Sequence, residues 1–304
     1  MTTRKMKMKM KKVYSFKDYI NLINSQLDSF IPECTYGEPV VGEAMKYSLS
    51  IGGKRIRPVL LLEFCRACGG DVEKAIPFAV ALEMIHTYSL IHDDLPCMDD
   101  DDMRRGQPSC HIRYGEEYAL LAGDGLLTRA FGVVAQSELA KENPLCAVEA
   151  VSILSDLAGV EGMLGGQTVD LKNEGKKASL ETLEVMDSLK TGALIVCAAK
   201  LGCLAAGADE EKTAAAVTFC EKIGHAFQIV DDILDVIGDE AELGKPIGSD
   251  GESEKSTYVS LLGLEKSKEY ADKLTREALE ALCAFGEEGE LLREIAKMLV
   301  ERKN

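Results

Sequence analysis

Apolar residues recur at three- and four-residue spacings along most of the chain, in segments separated by Gly, Pro and polar clusters. The pattern predicts helices over 15–30, 38–50, 57–68, 72–94, 116–137, 144–163, 180–204, 210–236, 255–284 and 288–302. Ser15 and Asp18 have the spacing of a capping box, with Asp in place of the usual Glu. Strand signals are nearly absent, and no self-similar period of about 30–45 residues points to a solenoid. The expectation is an all-α fold, one helix bundle forming a single domain over 1–304. Residues 1–12 alternate Met and Lys and read as a frayed basic tail. They lack the apolar core of a signal peptide, and no run approaches the length of a membrane span.

Composition narrows the class. At 46% hydrophobic and 28% charged, the chain is that of a soluble globular protein, and a net charge of −16 argues against nucleic acid as its main partner. The ten Cys fall mostly in apolar helical stretches, which reads as reduced, buried thiols in a cytoplasmic protein. Cys65 and Cys68 form a CxxC, but no second pair completes a zinc site and no strand precedes it.

The candidate chemistry is concentrated where the 72–94 helix ends. Residues 93–105 carry Asp93, Asp94, Asp99, Asp100, Asp101 and Asp102, followed by Arg104 and Arg105. Such a run is either a solvated loop or a site for a hard cation, whose phosphate ligand the arginines would then meet. A second cluster, Asp231, Asp232 and Asp235, lies among apolar residues, where bare carboxylates are costly. Asp231 and Asp235 share a helix face, and Gly224, Phe227 and Gln228 precede Asp231 on it. An EF-hand is excluded, because Met103 and Arg104 stand where an oxygen ligand and a Gly are required. Asp93 and Asp99 are six apart, wrong for one helix face, so a bulge at Pro96 is required if they share a metal.

Other segments keep two readings. Gly52-Gly53-Lys54-Arg55-Ile56-Arg57-Pro58 is a basic turn at a helix start or an anion site; with Ser48 and Arg55 at the motif positions it is not a Walker loop. His86 shares a face with Ser89 and Asp93, as a satisfied core histidine or a group facing an anion. Tyr88 lies roughly 7.5 Å below Asp93 along the helix axis at about 1.5 Å per residue. Residues Gly165 to Asp170 look like a helix interruption, and Lys190-Thr191-Gly192 like a kink. The stretch 238–253 is a disordered surface loop or a lid able to close Lys245, with Lys255 beyond it, on an anion. No Ser/His/Asp triad or HExxH is present.

Taken together, Gly-Gly-Lys-Arg-x-Arg-Pro, Asp-Asp-x₄-Asp with Arg-Arg-Gly, Lys-Thr-Gly and Phe-Gln-x-x-Asp-Asp-x-x-Asp, in this order, resemble the trans-isoprenyl diphosphate synthases over about residues 38 to 265. The resemblance implies an antiparallel, isoprenoid synthase-like helix bundle around a deep apolar cavity, usually a homodimer. It implies three Mg²⁺ ions per active site, held mainly by Asp93, Asp99 and Asp231, with Asp94, Asp232 and Asp235 as ligands or just behind them. Arg104, Lys190, Gln228 and Lys245 would hold an allylic diphosphate. Lys54, Arg57, His86 and Arg105 would hold isopentenyl diphosphate. Thr191 would sit beside the forming cation, and Lys255 matches a further basic position. The implied reaction is ionisation of the allylic C–O bond, attack by the isopentenyl double bond, and loss of a proton to the released diphosphate.

Tyr88 and Ser89, with Leu95 to Met98 between the aspartates, resemble the bacterial farnesyl-producing members and imply a C15 product with Tyr88 as cavity floor. Plant-type geranylgeranyl synthases share the Pro-Cys insertion but carry a smaller residue at the Tyr88 position, so a C20 product is the alternative. A non-catalytic subunit of a heteromeric synthase would have lost an aspartate cluster. A terpene cyclase would lack the Gly-Gly-Lys-Arg site, and a simple metal-binding protein would not need Lys54, Arg57 or Lys190.

Overall fold

Three helices are apolar on every side and occupy the middle of the molecule. In α3 (Ile56–Ala67) every residue from Pro58 to Cys65 is buried. In α4 (Val72–Asp93) and α11 (Ala193–Ala206) burial likewise runs around the whole helix. A helix without a polar face must be enclosed by others. The outer helices show the opposite pattern: in Leu264–Ala281 only Ser267, Ala271, Leu274 and Ala278 are buried, one stripe at three- and four-residue spacing. This computed structural model describes residues 13–33, 37–237 and 256–301.

In chain order, α1 (Phe16–Gln26) is followed by a 3₁₀ turn, and α2 (Val40–Ser50) precedes α3 and α4. A short hairpin, β1 (Met103–Arg104) and β2 (Gln107–Pro108), leads to α5 (Cys110–Tyr114), α6 (Glu116–Ala135) and α7 (Glu138–Glu142). Then come α8 (Pro144–Ala158), α9 (Met163–Asn173), α10 (Leu180–Asp187), a π segment (Ser188–Gly192), α11 and α12 (Glu210–Ile237). Helices Tyr258–Leu262, Leu264–Ala281 and Glu290–Val300 close the bundle. One core joins α3, α4, α6 and α11, and a second forms where α12 meets Leu264–Ala281.

The fold is the all-α bundle that the apolar periodicity predicts. The Ser15–Asp18 capping box is present in full, Asp18 accepting from the Ser15 backbone at 2.9 Å. Several boundaries differ. The predicted 144–163 helix stops at Ala158, and the break falls at Gly159–Gly162, ahead of the Gly165–Asp170 stretch, which is inside α9. Gly166 is there for close approach: a Cβ would lie 2.1 Å from the backbone nitrogen of Lys190. The predicted 255–284 helix breaks at Gly263, whose φ is +83°. The hairpin, α5 and α7 have no counterpart among the predicted elements, being too short to show a period. Two helical stretches, Glu116–Ala135 and Leu180–Ala206, are long and apolar enough to cross a membrane by length and composition, contrary to the reading that no run is. Both pack into the bundle, where α6 lies against α4 and α11 against α3.

Candidate active site

The chain turns sharply where α4 ends. Pro96 cannot continue the helix, and the backbone closes on itself, with Met98 donating to Leu95 O and Asp99 to Asp93 O, both at 2.8 Å. Asp100 takes a left-handed conformation (φ +53°) to complete the turn. Asp99 is thereby folded back beside Asp93, the bulge that their six-residue spacing requires. The hairpin follows immediately. Arg105 (φ +54°) and Gly106 (φ +75°) form a two-residue loop with both φ positive, the turn that matches strand twist. Arg104 ends the strand while Arg105 already turns into the left-handed loop, and the two arginines separate accordingly. Arg104 pairs with Asp94, while Arg105 donates to the carbonyl of Gly52.

Three cavities lie in a row. The central one, about 370 Å³, is within the range of small-molecule sites and is bounded by Asp93, Lys190, Thr191, Tyr88, Ser89 and Gln167. The basic one, about 570 Å³, is bounded by Lys54, Arg57, His86 and Arg105, and meets the first at Arg57 and His86. The acidic one, about 280 Å³, is bounded by Asp170, Asp187, Gln228, Asp231 and Asp232, and meets the first at Lys190 and Thr191.

The basic cavity is built to hold an anion. Burial pushes Arg57 down to about 10, with Glu83 opposing and Arg105 adding to the shift. Arg57 Nε is buried without a hydrogen-bond partner, and its Nη1 lies 3.4 Å from His86 Nε2. Arginine only donates, so His86 Nε2 accepts and the ring is neutral. Burial, then Arg57 and the neighbouring arginines, hold its pKa well below the usual range. Arg55 also borders this cavity but its guanidinium is already engaged, donating to Glu83, Asn24 and the Leu49 carbonyl.

At the central cavity, burial pushes Asp93 up to about 6; Lys190 opposes this and Asp99 adds to it. Lys190 is carried on the π segment, the local irregularity that Lys-Thr-Gly predicts, and its Nζ pairs with Asp170 at 2.5 Å. Asp187, three residues earlier, is 7% exposed and pushed up to about 6 by burial, against hydrogen bonds from Tyr258 and Gln228. Asp232 accepts from the Tyr258 backbone at 2.7 Å.

The structure therefore brings most of the expected residues together. Asp93, Lys190 and Thr191 share the central cavity with Tyr88 and Ser89, and Gln228, Asp231 and Asp232 face the acidic one. Asp99 stands beside Asp93 at the outer end, and Asp94 is 2% exposed and occupied by Arg104. Asp235 is buried and does not border the cleft that Asp231 and Asp232 line. Gly224 packs instead against Ile195 and Gly192. Lys245 and Lys255, and with them the 238–253 lid, lie outside the described residues, as does the 1–12 tail. Asp170 and Asp187 were not singled out by sequence reading. Their signal is positional: Gln167 and Asp170 are three apart on one helix, as are Asp187 and Lys190.

Known proteins resemble this arrangement closely. The chain is 46% identical over 281 residues to a heterodimeric geranylgeranyl pyrophosphate synthase large subunit of Arabidopsis thaliana, covering 90% of this chain and 75% of that one. It is 42% identical over 284 residues to farnesyl diphosphate synthase of Escherichia coli, covering 92% and 95%. The crystal structure of an FPP/GFPP synthase from Zymomonas mobilis superposes with a TM-score of 0.83 at 33% identity, covering 94% and 97%. A family model described as polyprenyl synthetase matches residues 38–297, a span that takes in the basic cavity and both aspartate clusters, and the chain therefore belongs to the polyprenyl synthetase family.

Proposed function

We propose that this prenyltransferase joins isopentenyl diphosphate head-to-tail to dimethylallyl and then geranyl diphosphate, and releases the C15 product farnesyl diphosphate. The observation that carries the length is Tyr88, 3% exposed, which lies on the cavity wall below Asp93.

Lys54, Arg57, His86 and Arg105 hold the diphosphate of isopentenyl diphosphate in the basic cavity. The orphaned Arg57 Nε supports this, since a buried donor without a partner is costly until an anion accepts from it. Lys190, Gln228 and Arg104, with Lys245, hold the allylic diphosphate, and Thr191 faces the reacting carbon from the π segment. The apolar wall of the central cavity keeps water from the allylic cation.

Asp93, Asp99 and Asp231 are the residues for Mg²⁺, with Asp94, Asp232 and Asp235 behind them. The donor chemistry fits: Asp99 is folded back beside Asp93 at the central cavity, Asp231 borders the adjoining acidic one, and Mg²⁺ favours a few carboxylates completed by phosphate oxygens. When bound, Mg²⁺ supplies Lewis-acid neutralisation of the departing diphosphate.

Exposed apolar residues Tyr118, Leu120 and Leu121 on α6, with Leu145 and Val148 on the adjoining α8, support a homodimer through this face. The nine cysteines among the described residues are free, which supports a cytoplasmic location. A C20 product is the second reading, favoured by the 46% identity to a geranylgeranyl synthase subunit. Purified protein incubated with Mg²⁺, isopentenyl diphosphate and dimethylallyl diphosphate tests both readings. A dominant C15 alcohol after dephosphorylation supports the first, and a dominant C20 alcohol replaces it with the second.

A further inference from the structure

The central cavity has a side wall that the reading above leaves unused. His92 immediately precedes Asp93 on α4 and borders the cavity together with Leu120 of α6. Its Nε2 donates to the Leu120 carbonyl at 3.1 Å; a carbonyl only accepts, so the proton is on Nε2. The ring lies in a notch made by a missing side chain. A Cβ on Gly123 would stand 2.1 Å from that Nε2. His92 is four residues after Tyr88, and helical side chains lean toward the N-terminus, so its ring comes down over the tyrosine. The two rings meet edge-on, centroids 5.7 Å apart and planes at 75°.

We propose that product length is set by this pair and not by Tyr88 alone. His92 is a positioning residue: keyed into Gly123 and tied to Leu120, it fills the space between α4 and α6 and holds the Tyr88 ring across the cavity. The inference rests on the proposed chain-elongation reading and deepens it. Without the His92 ring, Tyr88 can swing toward α6 and the growing prenyl tail gains a passage between the two helices. A methyl group at Gly123 displaces the imidazole and has the same effect with His92 still present.

The test is the product ratio of purified His92→Ala, Gly123→Ala, His92→Phe and the parent, each with Mg²⁺, isopentenyl diphosphate and dimethylallyl diphosphate. The ratio is independent of any loss of rate caused by the neighbouring Asp93. The expected result is a several-fold higher share of longer prenyl alcohols from His92→Ala and Gly123→Ala, with His92→Phe close to the parent because it refills the notch. If His92→Ala does not fold, Gly123→Ala decides. Unchanged ratios in the folded variants of an active parent overturn the proposal. A parent that makes no prenyl alcohol sinks the functional reading beneath it.

Discussion

Arg104 and Asp94 are locked together: Nε of the arginine lies 2.9 and 3.2 Å from the two carboxylate oxygens, with Nη2 closing the fork and reaching Asp101 at 3.1 Å. An aspartate already accepting a bidentate arginine has little left to offer a metal. On the proposed reading, its work is to fix the direction of the Arg104 guanidinium, which would meet the allylic diphosphate. Asp94→Asn is therefore expected to keep most of the Mg²⁺ affinity measured by calorimetry while raising KM for the allylic diphosphate. Loss of Mg²⁺ binding as severe as that of Asp93→Asn would show Asp94 to be a direct ligand.

Asp93 and Asp231 stand on the cavities that Lys190 and Thr191 join. On the proposed reading these carboxylates hold the Mg²⁺ that neutralises the departing diphosphate, and losing electrostatic stabilisation of that kind costs about 10²–10³ in turnover. Asp93→Ala and Asp231→Ala should show that loss in kcat with helical circular dichroism unchanged. Full activity in either folded variant would refute the ligand assignment.

Legibility in the sequence follows from how local the physics is. The bundle was readable because buried helices leave long apolar periods, and a bulge between Asp93 and Asp99 because Pro96 breaks the helix and lets the two converge. The kink at Lys190 was readable from Lys-Thr-Gly. The hairpin was not, since its loop is Arg105-Gly106 rather than the Asn-Gly that advertises such turns. Gly165–Gly166 were misread as a break because a glycine that allows helices to touch looks, in sequence, like one that ends a helix. That Asp94 is taken up by Arg104 while Asp93 borders the cavity was also hidden. It depends on which way Arg104 points, which only the hairpin decides.

Arg55 and Arg57 are two residues apart in one basic motif and belong to different accounts. Arg55 and Glu83 form a buried pair, 1% and 2% exposed at the side chain. Breaking such a pair from one side leaves a buried charge and costs about 3–5 kcal/mol. Glu83→Ala should accordingly lower Tm sharply. Arg57→Lys should leave Tm nearly unchanged, because its Nε has no partner to lose, yet raise KM for isopentenyl diphosphate about tenfold or more, the worth of a charged hydrogen bond. Equal Tm losses in both variants would mean that Arg57 is structural as well.

The acidity of the metal-free protein offers the last test. Burial first, and neighbouring carboxylates after it, push Asp93 and Asp187 each up to about 6, against about 3.9 in an unfolded chain. A carboxyl whose pKa is higher in the folded state favours folding only while it is protonated. As pH rises from about 4 to about 6 the unfolded chain has already released its proton and the folded one has not, so stability falls across that window and stays low above it. Metal-free protein should thus have a higher Tm at pH 5 than at pH 7.5. General relief of the −16 net charge at low pH pushes the same way, so the specific contribution is read from variants. Asp93→Asn and Asp187→Asn, which keep the shape and cannot ionise, should each shrink the Tm difference between the two pH values. Saturating Mg²⁺ should shrink it in the parent but not in Asp93→Asn, because the cation takes the place of the proton on that carboxylate. A pH difference identical in the parent and both variants would mean that neither carboxyl is strained in the free protein.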